Sequence, residues 1–298
     1  MLKQTKSIVS CMKANFLLWK RDPRVFAVGV FVLAYMIVML WPVRRFSAAV
    51  GIAVSPWCFP FLMFPGGTLV LMSCATVLFC NAPFGTALLP FILLRTGRLR
   101  WILGQLLYIL LAALVYTVFV VLSSVVVLFP YVRFTGEWGA IIDTLCTSYM
   151  AQAMGYPIAL QGAAYVYSEL RPLQALLLSS LLFYLSTLLV GAAAFFGNLV
   201  SGKMFGVYFD GFLICLSAVA SIAMQISPAG KWIYYLSPLS WSSLNGVVLH
   251  DAGKFPHIGY AVTVIVLLLA ALGAASVWTM RKKNLMFTKG GSELGGQF

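Results

Sequence analysis

Arg95, Arg98 and Arg100 fall within six positions, in the stretch NAPFGTALLPFILLRTGRLRW that runs from Asn81 to Trp101. A guanidinium is a permanent cation with a planar fork of N–H donors, so such a cluster pairs with carboxylates or phosphates. No acid lies within the stretch to neutralise it. Pro83, Gly85 and Pro90 precede the arginines and interrupt any helix there. The chemistry legible here is docking: a broken, basic elbow able to grip an acidic partner.

The other chemical candidates carry less. Gly197–Met204 reads GNLVSGKM, one residue short of the phosphate-binding pattern G-x-x-x-x-G-K-[ST]. Met204 cannot supply the hydroxyl that holds magnesium, and an apolar run precedes the motif where a strand is needed. It reads as a chance match, with Lys203 a turn residue. Asp210 is the one ionisable acid or base inside the apolar runs. Its position suits a helix-start acid near the positive dipole end, and one carboxyl is thin support for ion-coupled transport. The chain holds no H-E-x-x-H and no G-x-S-x-G, and its two histidines, His250 and His257, share one connecting segment. No nucleophile or metal set for an intramembrane hydrolase assembles from these residues. The six cysteines form no C-x-x-C pair; Cys74, Cys80 and Cys215 lie in or at the ends of apolar runs, as small hydrophobes do. No cofactor, metal site or disulfide framework is expected.

The elements that must position the elbow are membrane helices. Of 298 residues, 62% are apolar and only 9% charged, against about a quarter charged in a soluble domain. The mean hydropathy is +0.97. A net charge of +13 raises nucleic acid as a partner, but the basic residues flank apolar runs, which suits anionic lipid headgroups instead. The expected fold is all-α: a polytopic membrane protein with six transmembrane helices and an N-terminal amphipathic interfacial helix.

That helix covers residues 1–24. Lys6, Lys13 and Lys20 recur every seven residues, while Ile8, Met12, Phe16 and Trp19 share one face. The alternative is a basic flank that only fixes orientation. Asp22-Pro23 marks a turn into the membrane. Six spans follow over residues 25–283: Val25–Trp41, Pro56–Cys80, Trp101–Pro130, Pro172–Leu199, Val207–Ile226 and Ile258–Met280. Pro42, Arg44 and Arg45 follow the first in place of a small-residue cleavage site, which argues against a signal peptide. Pro60, Pro65, Gly66 and Gly67 break the second; such a break either lines a path or is a packing kink. The third, at 30 positions, would measure roughly 45 Å and must tilt or project, with Trp101 able to anchor its start at the interface. Tyr131–Arg171 reads as short helices at the outer interface, and Asp143, Gln152, Pro157 and Gln161 weaken a seventh span within Ile141–Tyr167. Ser227–His257 contains LSPLSW at Leu236–Trp241, a broken segment suited to a short re-entrant helix with interfacial aromatics. Residues 284–298 form a Gly-rich, flexible tail.

Six spans put both termini on one side. If that side is the cytoplasm, the cations inside are Lys3, Lys6, Lys13, Lys20, Arg21, Arg24, Arg95, Arg98, Arg100, Lys203, Arg281, Lys282, Lys283 and Lys289, which is 14. Arg44, Arg45, Arg133, Arg171, Lys231 and Lys254, which is 6, lie outside. The excess places both termini in the cytoplasm.

The order of these parts resembles the membrane permease subunit of a type 2 ATP-binding-cassette exporter. The resemblance rests on the amphipathic N-terminal helix, six spans, the elbow RTGRLRWILGQLL at Arg95–Leu107, and the LSPLSW segment before the last span. It implies a coupling elbow over residues 81–100, with Pro83, Phe84, Pro90, Arg95, Arg98 and Arg100 contacting a separate ATP-binding-cassette ATPase subunit. It implies an interfacial helix carrying Lys6, Met12, Lys13, Phe16, Trp19 and Lys20 on membrane lipid. It further implies a homodimer or heterodimer of permeases in the plasma (inner) membrane, with no catalytic residue on this chain. The long Tyr131–Arg171 connection departs from the short outer loop of that family. Two other classes stay open: a membrane anchoring or immunity protein that sequesters a peptide or partner without transport, and an intramembrane enzyme. A neighbouring reading frame for a Walker-type ATPase separates the first reading from the second. The topology is tested by reporter fusions at the C-terminus and at Gly139, which should report opposite sides; a common side would mean a misplaced span.

Overall fold

In hydrocarbon no water satisfies the backbone, so a spanning segment must satisfy itself, and this chain does so with helices. The computed structural model describes residues 2–82, 94–156, 158, 164–201, 205–227, 229–247 and 255–282. Helix α1 (Leu2–Leu18) ends in a 3-10 turn, Trp19–Arg21. Asp22 then caps α2 (Pro23–Val50): its carboxylate accepts the Arg24 N–H at 3.0 Å, and Pro23 takes the first helical position. Helix α2 continues past the expected end at Trp41. Pro42 is inside it, and Arg44 sits on the helix with its guanidinium 5.2 Å from the Trp41 ring centre. Gly51, at φ +75°, closes the helix in the left-handed conformation that glycine tolerates.

Six spans were expected, and five helices are long and apolar enough to cross a membrane among the described residues. They are α2, α5 (Arg98–Leu128), α9 (Pro172–Ser201), α10 (Phe205–Ile226) and α12 (Ile258–Lys282). The second expected span is divided. Its residues form a single turn, α3 (Phe59–Leu62), and then α4 (Pro65–Phe79). The 15 residues of α4 measure about 22 Å, short of a roughly 30 Å hydrocarbon layer. The break at Met63 and Phe64 is closed by protein. The Tyr35 hydroxyl donates to the freed Leu62 carbonyl at 3.3 Å, and a Cβ on Gly67 would lie 2.4 Å from that oxygen. Glycine is what lets the chain fold back so tightly there.

The long connection after α5 carries α6 (Gly139–Thr147), α7 (Met150–Ala153) and α8 (Ala164–Glu169), with no further helix of spanning length among the described residues. It is fastened to the α2–α3 connection. Val54 and Val132 form a parallel bridge, Ser55 Oγ donates to the Trp138 carbonyl at 2.6 Å, and Trp57 Nε1 donates to the Thr135 carbonyl at 2.8 Å. Beyond α10, helix α11 (Gly230–Leu236) leads into 3-10 turns at Pro238–Ser242 and Leu244–Gly246.

Helix α9 is the centre of the bundle. It meets α4, α5, α10, α12 and the Pro238–Ser242 turn. The most apolar stretch of α9 is 56% buried, against 11% for α12, so α12 is peripheral. Small residues let the neighbours close in. A Cβ on Gly206 would sit 2.2 Å from the Ala194 carbonyl, and one on Gly191 would sit 2.7 Å from Ile109 Cγ2. Gly206→Val should therefore destabilise the protein by about 1–3 kcal/mol through overpacking. The check is a lowered thermal midpoint in mild detergent, with Gly211→Ala, which opens onto free space, leaving the midpoint unchanged.

Candidate functional site at the base of the elbow

The elbow is entered from α4 and left through α5. Pro83, Phe84 and Pro90 lie outside the described residues. Gly97 turns the chain at φ +80°, and α5 begins at Arg98. Arg95, Arg98 and Arg100 are all exposed, close in sequence around that turn. Trp101, which sequence suggested as an interfacial anchor, is only 3% exposed and belongs to the core.

The first turns of α5 are held by α1. A Cβ on Gly104 would lie 2.8 Å from Cys11 Cβ and 3.1 Å from the Ile8 carbonyl, so the two helices cross in contact. Asn15 Nδ2 donates to Gln105 Oε1 at 2.9 Å, with both side chains buried. Trp19 Nε1 donates to the Tyr108 hydroxyl at 2.6 Å, and the Phe16 ring lies 5.0 Å from each of those rings. The face carrying Ile8, Met12, Phe16 and Trp19 thus packs on protein and is half-buried, whereas Lys13 and Lys20 are exposed. The side chain of Lys6 lies outside the described part. Sequence reading passed over Asn15, although it stands on the apolar stripe between Met12 and Trp19 at helical spacing. A polar residue there is the signal that this face meets a partner side chain and not lipid alone.

The entry to the elbow is held by one amide. Asn198, in the last turns of α9, donates through Nδ2 to the carbonyls of Cys80 at 2.9 Å and Ala82 at 2.5 Å. Its Oδ1 accepts the Gly206 N–H, at the start of α10, at 2.7 Å. Arg24 Nη1 adds a contact to Cys80 Sγ at 3.3 Å. The end of α4, the end of α9, the start of α10 and the start of α2 therefore meet at the point where the chain enters the elbow. Asn198 falls inside the GNLVSGKM stretch, and its role is this clamp. The motif's first half is helical where a nucleotide loop needs a preceding strand, while residues 202–204, with Lys203, lie outside the described residues. Asp210 also departs from expectation. It sits in the second turn of α10, fully buried, with neither carboxyl oxygen hydrogen-bonded among the described residues.

At the other ends of α4 and α10 lies a cavity of about 110 Å³. Its polar lining residues are Thr68, Ser217, Ser221, Gln225, Tyr234, Ser240, Ser243 and Asn245, with no charged residue among the described ones. Ser240 Oγ lies 3.2 Å from Ser217 Oγ and 2.8 Å from Ser237 Oγ, and Asn245 Oδ1 is buried without a hydrogen bond among the described residues. The LSPLSW segment forms one wall. Its Trp241, expected among interfacial aromatics, is 1% exposed and donates from Nε1 to the Tyr234 carbonyl at 3.1 Å. Tyr234 donates its hydroxyl to the Ser240 carbonyl at 2.9 Å. Burial pushes the Tyr234 phenol well above its ordinary range, which keeps it a donor. Trp232, by contrast, is exposed, as an interfacial aromatic should be.

No family model matches this chain, and neither the curated proteins nor the solved structures yield a match. Asn198→Ala should leave the Cys80 and Ala82 carbonyls and the Gly206 N–H without their partner. Each buried group left unpaired costs about 1–3 kcal/mol. The expected outcome is a lower thermal midpoint together with faster proteolysis near residues 83–93, and a midpoint equal to wild type would show that the clamp carries no weight.

Proposed function

We propose that this chain is the membrane permease subunit of an ATP-binding-cassette exporter, with ATP hydrolysed by a separate subunit that docks on the elbow. The observation that carries the reading is the anchorage of the elbow at both ends. A force from a soluble partner needs a stiff path into the spans, since a free loop would absorb it. Here the entry is tied to four helices through Asn198 and Arg24, and the exit is the rigid start of α5, braced by α1. The exposed Arg95, Arg98 and Arg100 beside Gly97 then offer a carboxylate-binding face to that partner.

In this reading the α3–α4 pair completes a sixth crossing of the membrane, both termini are cytoplasmic, and two permease chains form the pathway. The hydroxyl-lined cavity at the far ends of α4 and α10 suits a neutral, hydrogen-bonding part of the exported molecule. The exposed side of α1, with the basic Lys13 and Lys20, rests at the lipid headgroups.

The test contrasts two double variants. Arg98→Lys with Arg100→Lys keeps the charge and the insertion but loses the bidentate fork. Arg98→Ala with Arg100→Ala removes both. A charged hydrogen bond is worth about 1.5–3 kcal/mol, so the alanine pair should lower co-purification of a Walker-type ATPase, and the ATP turnover of the complex, by about tenfold or more. The lysine pair should fall between it and wild type. Normal values for the alanine pair, with insertion verified, would reduce the elbow to a topogenic turn. A wild-type chain that brings down no ATPase would favour an anchoring or sequestering protein.

A further inference from the structure

Between α2, α4 and α5 lies a second cavity, an apolar groove of about 160 Å³. Its walls include Val28, Gly29, Leu78, Val115 and Phe119, and the Trp19 ring closes the end nearest α1. A dry apolar cavity of about 150 Å³ accommodates a benzene-sized ligand, so this one has room for a segment of a single hydrocarbon chain. Gly29 is what keeps it open. A Cβ there would meet only the Phe119 ring, at 3.9 Å, and the rest of that position faces the groove. The closing ring is fixed in place, because its N–H is engaged by the Tyr108 hydroxyl.

The stretch from Trp19 to Val25, whose two end residues line the groove, is rich in cations. Trp19 begins a turn whose next two residues, Lys20 and Arg21, are exposed. Arg24 follows in the first turn of α2, and its guanidinium donates to Cys80 Sγ at 3.3 Å. The one acid between Trp19 and Gly29 is Asp22, and its carboxylate already caps the Arg24 N–H. Three cations and one carboxylate, a net charge of +2, therefore adjoin in sequence the Trp19 and Val25 that line this apolar slot.

We infer that this groove is a specific site for an anionic phospholipid, with one acyl chain lying along Gly29 between α2 and α5 and the phosphate held by Lys20, Arg21 and Arg24. The chemistry requires both halves. An acyl chain alone gains only non-directional van der Waals packing over the equally apolar bulk lipid. The cationic stretch then selects a headgroup with net negative charge over a zwitterionic one, whose own ammonium cancels part of the attraction. The inference does not depend on the chain being a permease.

The experiment is native mass spectrometry of the full chain, purified in mild detergent with equal amounts of phosphatidylglycerol and phosphatidylcholine. The wild type should retain one phosphatidylglycerol per chain, with a preference of at least fivefold over phosphatidylcholine. Gly29→Leu fills the groove and should cut retention of both lipids by fivefold or more. Gly29→Ala adds only a methyl in ordinary contact and should bind like wild type. Lys20→Gln, Arg21→Gln and Arg24→Gln together should abolish the preference, and this variant decides the matter alone if Gly29→Leu fails to fold. Equal retention of the two lipids by wild type overturns the inference, as does a folded Gly29→Leu variant with wild-type retention. A preference that survives the triple glutamine variant overturns it as well.

Discussion

Among the described residues the backbone packed against α9 leaves helical geometry at two places, and in a membrane core every polar group so freed must find a protein partner. The first is the break between α3 and α4, and the second is the pair of 3-10 turns from Pro238 to Gly246. Both are covered by the same bundle. The Tyr35 hydroxyl takes the Leu62 carbonyl, and Tyr234 and Trp241 take the carbonyls around the second break. Ser242 Oγ and Thr68 Oγ1, one from each broken segment, lie 3.2 Å apart. The two irregular segments thus complete one another, and α9 packs behind both. Further along α9, towards the elbow, Gly191 and Ala194 instead let Ile109, Phe79 and Gly206 of the regular helices come close.

The opposite end obeys a different requirement. There the chain leaves the bundle through the elbow, and its anchorage comes from side-chain amides. Asn198 makes three hydrogen bonds with one group, and Asn15 with Gln105 makes a buried pair between α1 and α5. In a low-dielectric surrounding such satisfied polar contacts fix a single register, because any slip would leave a buried donor or acceptor unpaired. Apolar packing alone would tolerate sliding. The amides therefore specify which turn of α1 meets which turn of α5, and where α4 ends against α9.

The helices were legible because their signal is long and one-dimensional: uninterrupted apolar runs bounded by Pro, Gly and Arg. The starts of α9 and α12 and the end of α10 fall where those runs begin and end. The errors have physical causes. Pro42 was taken as a stop, yet α2 carries it within its length and continues to Val50. Pro65 and Gly67 were recognised as breaks, but whether the segment still formed one helix depended on Tyr35, twenty-seven positions upstream from Leu62. Trp101 and Trp241 looked interfacial because tryptophan commonly is; both instead found hydrogen-bonding or packing partners in the core, which no local pattern encodes. Asn198 was invisible as a clamp because its three partners come from α4, the elbow and α10. The basic residues of the elbow were legible as a cluster, whereas their anchorage is a tertiary property.

Helices α4 and α10 join the two ends. Each has one end at the Asn198 clamp and the other at the hydroxyl-lined cavity: Cys80 and Thr68 frame the first, Gly206 and Ser217 to Ser221 the second. From Thr68 to Cys80 is twelve residues, or about 18 Å of helix at 1.5 Å per residue. Neither helix is interrupted between its two ends, and the α9–α10 contact at Gly206 and Ala194 is too close to be compressed. A rigid rod clamped at one end moves its far end by tilt or translation, so a displacement of the shared Asn198 clamp would carry both Thr68 and Ser217 with it. The cavity walls include Ser240 and Ser243, which belong to turns held from within by Tyr234 and tied to α4 through Ser242 and Thr68 and to α10 through Ser240 and Ser217. Both walls of the cavity are thus connected to the helices clamped at the elbow, Thr68 and Ser217 directly and the Pro238–Gly246 turns through hydrogen bonds to those two residues.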